Sequence, residues 1–92
     1  MHIEFDPAKN VLNVRRRSLS FESAAEFVFD TALVYADQRR DYGETRYVAL
    51  GLLGSRLHVL CFVEVEAGIR VISFRKANSR EISRYAKVQT VD

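Results

Sequence analysis

The chain has 92 residues, 48% of them hydrophobic and 28% charged, and a formal net charge of +2. That is too apolar for wholesale disorder, and long enough for one modest domain over residues 1–92 but not two. With 14 Lys and Arg against 12 Asp and Glu, the balance excludes a chain that is basic throughout, so any nucleic-acid footprint must come from clustered charge. In chain order, His2–Phe5 reads as a short strand. Asp6 then supplies an N-cap and Pro7 the first position of a helix. That helix carries Val11, Leu12 and Val14 and ends in Arg15, Arg16 and Arg17, whose charge complements a helix C-terminus. A second helix is expected from Ser20, with Phe21, Ala24, Ala25 and Val28 at the i, i+3, i+4, i+7 spacing of a buried stripe, ending at Asp30–Thr31. A short strand (32–36) and a charged loop (37–44) follow.

Three further strands are expected at 45–53, 56–66 and 69–75. Gly54-Ser55 suits a type II′ hairpin turn, and Ala67-Gly68 makes a second short link. Asn78-x-x-Glu81 is a capping-box pattern that opens a C-terminal helix. The expected class is α+β: a short N-terminal strand, two helices, an antiparallel β-meander and a C-terminal helix. Two-residue loops would put Leu52 opposite Leu57, Leu50 opposite Val59 and Val48 opposite Cys61. In the second hairpin they would put Phe62 opposite Ser73 and Leu60 opposite Arg75. One sheet face would then carry Val48, Leu50, Leu52, Leu57, Val59, Cys61, Val63, Ile72 and Phe74 as the core under the helices. The other, more open face would carry Tyr47, Ala49, Gly51, His58, Leu60, Phe62, Ser73 and Arg75. Those side chains could stack bases and hold a phosphate, or equally pack on a loop or a partner chain.

Between residues 68 and 87 six cations (Arg70, Arg75, Lys76, Arg80, Arg84, Lys87) accompany one acid, Glu81. Such a strand-to-helix corner is either an anion site or the solvated face of a terminal helix. The one cysteine, Cys61, can make no internal disulfide, which fits a reducing compartment. No apolar run approaches a membrane span and no signal peptide is expected, so a soluble cytoplasmic protein without membrane partners is the default. Two histidines, one cysteine and no spaced carboxylate set give no metal site, and neither a phosphate-cradling glycine loop nor a nucleophile elbow is present. No cofactor is expected.

Three blocks, IEFDPAKNVLNVRRRSLSFESA, ETRYVALG and IRVISFRKANSREISRY, resemble in order and spacing the BrnT-type toxins of bacterial toxin–antitoxin systems. The resemblance implies a fold like the RelE and ParE toxins and a ribonuclease activity that halts translation. It also implies neutralisation by a BrnA-type antitoxin in a heterotetramer whose antitoxin part, and not this chain, contacts operator DNA. Two positions depart from the family pattern. Its usual Lys-His-Gly triplet is Arg16, Arg17 and Ser18 here, and its usual first-strand tryptophan is Phe5. An arginine stays protonated, so the lost histidine removes a proton carrier while leaving two phosphate-binding cations.

The expected chemistry is metal-independent cleavage by attack of a ribose 2′-hydroxyl on the adjacent phosphate. Arg46 and Arg75 are the first candidates to stabilise charge, with Arg16 and Arg17 auxiliary and Glu44 or His58 moving protons. Tyr47 and Phe62 would stack bases, and Lys76 and Arg80 would bind the RNA backbone. For Arg46 an ion pair with a loop acid is the competing reading, and His58 alone on a strand is as readily a structural residue. The alternative function is a catalytically impaired homologue that binds the antitoxin in an operon-regulating complex.

Overall fold

A computed structural model describes residues 1–90. Strand β1 (His2–Phe5) leads into helix α1 (Pro7–Arg17), with Asp6 as N-cap accepting from the Ala8 N–H at 2.9 Å. A single 3-10 helix (Phe21–Glu26) precedes β2 (Val28–Ala36), β3 (Tyr47–Leu53), β4 (Arg56–Val65), β5 (Gly68–Lys76) and helix α2 (Ser79–Thr90). The five strands form one sheet in the order β1-β5-β4-β3-β2, with β1 parallel to β5 and every other pair antiparallel.

The expected second helix is a correction. Only Phe21–Glu26 is helical, and from Val28 the chain is a strand. The Phe21–Ala24 spacing fits one 3-10 turn, but Phe27 and Phe29 alternate with Val28 in the period of a strand. Phe27 fills the space over Gly51, where a Cβ would lie 2.5 Å from its ring. It packs edge-on against Phe29 and Phe74, with centroids 4.9 and 6.2 Å away. Burial of two aromatic rings outweighs the small helix preference of the intervening residues.

The β3–β4 register is as expected, with Leu52 opposite Leu57, Leu50 opposite Val59 and Val48 opposite Cys61. Gly54 has the positive φ (62°) that its turn requires. The second hairpin differs. Val65 pairs with Gly68, so the loop is Glu66-Ala67, and Ala67 takes the left-handed conformation (φ 62°). Leu60 faces Phe74 and Cys61 faces Ser73, but Phe62 faces Val71, so Ile72 is a bulge. A one-residue change of register moves side chains to the other face. Phe74 therefore joins Leu60, and Arg75 leaves the face it was expected to share with His58 and Phe62.

Both faces of the sheet are consequently covered. The larger core holds Phe21, Ala24, Phe27, Ala49, Leu60, Phe62, Ile69, Val71 and Phe74, on the face expected to be open. Leu50, Leu57, Val59 and Ala77 form the smaller core beneath α2, with Tyr85 against them. Val11, Leu12 and Val14 of α1 belong to neither and are about half exposed. Among the described residues no helix is long and apolar enough to cross a membrane.

Candidate functional site

Beyond Phe5 the outer edge of β5 has no strand beside it, and α1 takes that place. The joint is Asn13, a buried side chain whose amide donates to the carbonyls of Leu19 (2.9 Å) and Phe74 (3.0 Å). Its oxygen accepts from the Arg17 guanidinium at 2.7 Å. Asn10 on the next turn accepts from the Phe21 N–H at 2.8 Å. Both N–H groups and the oxygen of this buried carboxamide thereby have partners, which is what allows it to stay buried. The helix ends at Ser18, whose left-handed φ (53°) lets its N–H bond the Val14 carbonyl. That conformation favours glycine, a physical reason for the glycine expected at this position from the family pattern.

Anchored this way, the C-terminal turn of α1 stands over the end of the β4–β5 ladder, where His58 and Lys76 are direct cross-strand partners. Arg16, Arg17, Ser18, Leu19, His58, Arg75 and Lys76 line one cleft of about 500 Å³. Among the described residues no acidic side chain lines it. His58 is only 4% exposed and its ring lies 5.5 Å from that of Phe74. Its Nδ1 is 2.9 Å from the Arg56 carbonyl oxygen, which can only accept, so Nδ1 carries the proton. In the neutral ring Nε2 is then the basic nitrogen, and it has no hydrogen-bond partner among the described residues.

Five of the ten residues singled out from sequence (Arg16, Arg17, His58, Arg75 and Lys76) therefore meet in this cleft. The others lie elsewhere. Arg46 stacks on the Tyr42 ring, 4.1 Å from its centroid, and forms an ion pair with Glu44 at 3.5 Å, a contact too poorly aligned to be a hydrogen bond. Glu44 also accepts from Arg70 at 2.6 Å, and first Arg70, then Arg46, hold its carboxyl below the usual range. These contacts fold the 37–44 loop back on the sheet, so the ion-pair reading of Arg46 is what the geometry supports. Phe62, only 6% exposed, is stacked on Tyr47 (centroids 5.6 Å) and packed against Phe29, which corrects its expected place as a base-stacking ring on an open face. Tyr47 lines an apolar groove with Met1, Phe29 and Val34 on that same face. Arg80 lies on the outer side of α2 beside Ser83 and Arg84.

At the cationic corner the geometry favours the second of its two readings, a helix start that is not an open anion site. Arg75 grips Glu81 through two hydrogen bonds (2.8 and 2.9 Å). Glu81 and Asn78 complete the capping box, with the Asn78 N–H donating to Glu81 and the Glu81 N–H to Asn78. The helix terminus is thus occupied by its own carboxylate. A second basin across the sheet, lined by Asp37, Arg39, Cys61, Ser73, Arg75 and Glu81, has each arginine paired with an acid. Arg39 first of all, with Tyr42 assisting, drives the Asp37 carboxyl far below its ordinary range, and burial raises the Cys61 thiol. Between the two concavities, only the cleft at α1 presents cations not already neutralised by carboxylates, which is what an added anion needs.

Asn13 escaped the sequence reading. Its signal was there: Asn10 and Asn13 sit one turn apart on a helix whose apolar residues fall elsewhere. Among the described residues no group of three or more His, Cys, Asp or Glu side chains could hold a metal ion.

Comparison with known proteins agrees with this geometry at the level of family and fold. The family described as ribonuclease toxin, BrnT, of type II toxin-antitoxin system matches residues 5–81. A crystal structure of the Brucella abortus ribonuclease toxin BrnT has a similar fold, with a TM-score of 0.66, 24% sequence identity, and coverage of 86% of this chain and 99% of that one. No curated protein matches the chain. At that identity the likeness to the Brucella structure speaks to the α+β fold and its mixed sheet, not to the site.

Proposed function

Because the chain belongs to the BrnT family of ribonuclease toxins of type II toxin–antitoxin systems, we propose that it is a metal-independent endoribonuclease working in the cleft between α1 and the β4–β5 end. The observation that carries this is the convergence of Arg16, Arg17, Lys76 and His58 around one cavity that, among the described residues, no acid lines. On this reading the scissile phosphate sits between Arg16, Arg17 and Lys76, whose charge stabilises the equatorial oxygens as the 2′-hydroxyl attacks in line. His58 Nε2 takes the proton of that hydroxyl, with Nδ1–H on the Arg56 carbonyl fixing the tautomer. His58 thus supplies the proton carrier that the Arg16-Arg17 pair cannot. Lys76, exposed beside it, donates to the leaving 5′-oxygen. Arg75 acts from the rim, since Glu81 holds it. The cut RNA stops translation, a BrnA-like antitoxin neutralises the toxin in a heterotetramer, and operator DNA is met only through that antitoxin. The RelE and ParE kinship is part of the same proposal, supported by helices packed on a largely antiparallel sheet, as are the single domain and the cytoplasmic setting.

The test is cleavage of total RNA by partner-free protein in the presence of chelator. His58→Gln, which keeps the size and polarity of the buried side chain, is expected to slow cleavage by about 10²–10⁴. Arg16→Ala with Arg17→Ala is expected to cost a similar factor, and Arg46→Ala less than about tenfold. Equal losses for Arg46→Ala and His58→Gln in folded protein would move the site to the 37–44 loop. No cleavage by folded wild type, with or without ribosomes, would leave the impaired, antitoxin-binding homologue as the function.

A further inference from the structure

Helix α1 is amphipathic in the inverse sense. Asn10 and Asn13 turn toward the body and are spent on hydrogen bonds there, and Arg17 gives one of its N–H groups to Asn13 while lining the cleft. Val11, Leu12 and Val14 are instead 48%, 45% and 44% exposed. With 3.6 residues per turn, Ala8 neighbours Val11 and Leu12, Val11 neighbours Val14 and Arg15, and the group forms one continuous strip. The helix has no acidic residue and four cations, Lys9, Arg15, Arg16 and Arg17. Arg16 lies one turn beyond Leu12 and also lines the cleft.

We propose that this strip is the docking surface for an acidic amphipathic segment of the antitoxin, and that its occupation silences the toxin by placing a carboxylate on Arg16. The proposal rests on the toxin–antitoxin reading above. Charge selects the occupant. A second copy of the chain would set four cations against four, and like charges juxtaposed across an interface oppose association. A membrane surface would want an aromatic anchor and a longer apolar face, which the strip lacks. A segment with leucine-like residues at i, i+3, i+4 and Asp or Glu between them satisfies both the apolar strip and its basic rim. Because the strip runs directly into the cleft, a partner bound along it leaves no room for a phosphate at its C-terminal end.

The experiment uses the full chain and the protein antitoxin encoded in its own operon. Val11→Glu with Val14→Glu is expected to leave folding, by circular dichroism, and RNA cleavage unchanged. The same pair should raise the Kd for the antitoxin at least about 100-fold and abolish its inhibition of cleavage. Val11→Lys with Val14→Lys should weaken binding less, since only the acidic pair repels an acidic partner. In the wild-type complex the methyl signals of Val11, Leu12 and Val14 should shift on binding, a readout that needs no variant. Unchanged affinity of the folded Glu variant, or unshifted methyls, overturns the proposal. So does dimerisation of the free chain through α1, or binding of α1 to anionic phospholipid vesicles with antitoxin affinity unaffected by the variants. An antitoxin that fails to bind even wild type overturns the toxin–antitoxin reading itself, and the docking surface with it.

Discussion

Gly68 shows how a single missing Cβ decides a topology. A Cβ there would lie 1.8 Å from the His2 carbonyl oxygen, so β1 could not approach β5. The adjacent turn needs a left-handed residue at position 67 and has Ala67 instead, at a cost of about 1–2 kcal/mol. The glycine serves the strand contact, and the turn carries the strain. Gly68→Ala should therefore displace β1 and lower stability by about 3 kcal/mol, read as a lower urea midpoint; an unchanged midpoint would mean β1 contributes little. From sequence, Ala67-Gly68 was legible as a turn but not as a docking point, because the contact comes from residues 66 positions away in the chain. Asp6, Pro7 and Gly54 were legible because their roles are local: a cap, a first helical position and a hairpin turn. Asn13 was not, since its partners Leu19 and Phe74 are set by the packing of α1 on β5.

Helix α2 is an element held by few points. Glu81 and Tyr85 face the sheet one turn apart, and Tyr85 and Gln89 both donate to the Thr31 carbonyl. The match to the family ends at Glu81, so most of α2 lies outside it. The Arg75 guanidinium, and next the Asn78 N–H, hold the Glu81 carboxyl at about 2, against its ordinary 4.5, while burial pushes the other way. A value lowered by folding stabilises fully above the unfolded value and loses that contribution as pH falls through the folded one. Amide protection factors in α2, the exchange rates taken relative to their intrinsic values at each pH, should therefore fall between pH about 5 and about 2. Glu81→Gln should show the lowered protection already at neutral pH and lose this acid response. Because Asp37 and Glu44 are lowered too, the readout must be α2's own amides and not global unfolding. The capping box that starts this helix was plain in Asn78-x-x-Glu81. The Ile72 bulge was not, since nothing in IRVISF marks one residue as extra, and that bulge alone moved Arg75 to the α2 side.

At the scale of the molecule a net charge of +2 hides a strong segregation. Acids pair with Arg39, Arg46, Arg70 and Arg75 across the sheet from the larger core, whereas Arg16, Arg17 and Lys76 gather at one end without them. Binding of single-stranded RNA should then release counterions for only three or four phosphates. The slope of log K against log salt should be about −2 to −3, measured by fluorescence anisotropy on the His58→Gln protein to prevent turnover. A slope near zero would remove the cleft as the RNA site, and one of about −4 would extend the footprint to Arg80 and Arg84. The family was legible from three sequence blocks because they are local strings. The site was legible in part: the cations were visible, but their meeting depends on a helix laid along a strand edge.

That meeting has a consequence for how the protein comes into being. Arg16 and Arg17 are synthesised well before Lys76 and the strand edge that receives α1. β1 can zip onto β5 only after the C-terminal hairpin exists, a contact of long sequence separation and hence a late one. A growing or prematurely ended chain thus carries the arginines but no cleft. The ribosome that makes this protein meets the assembled site only once β5 has left it.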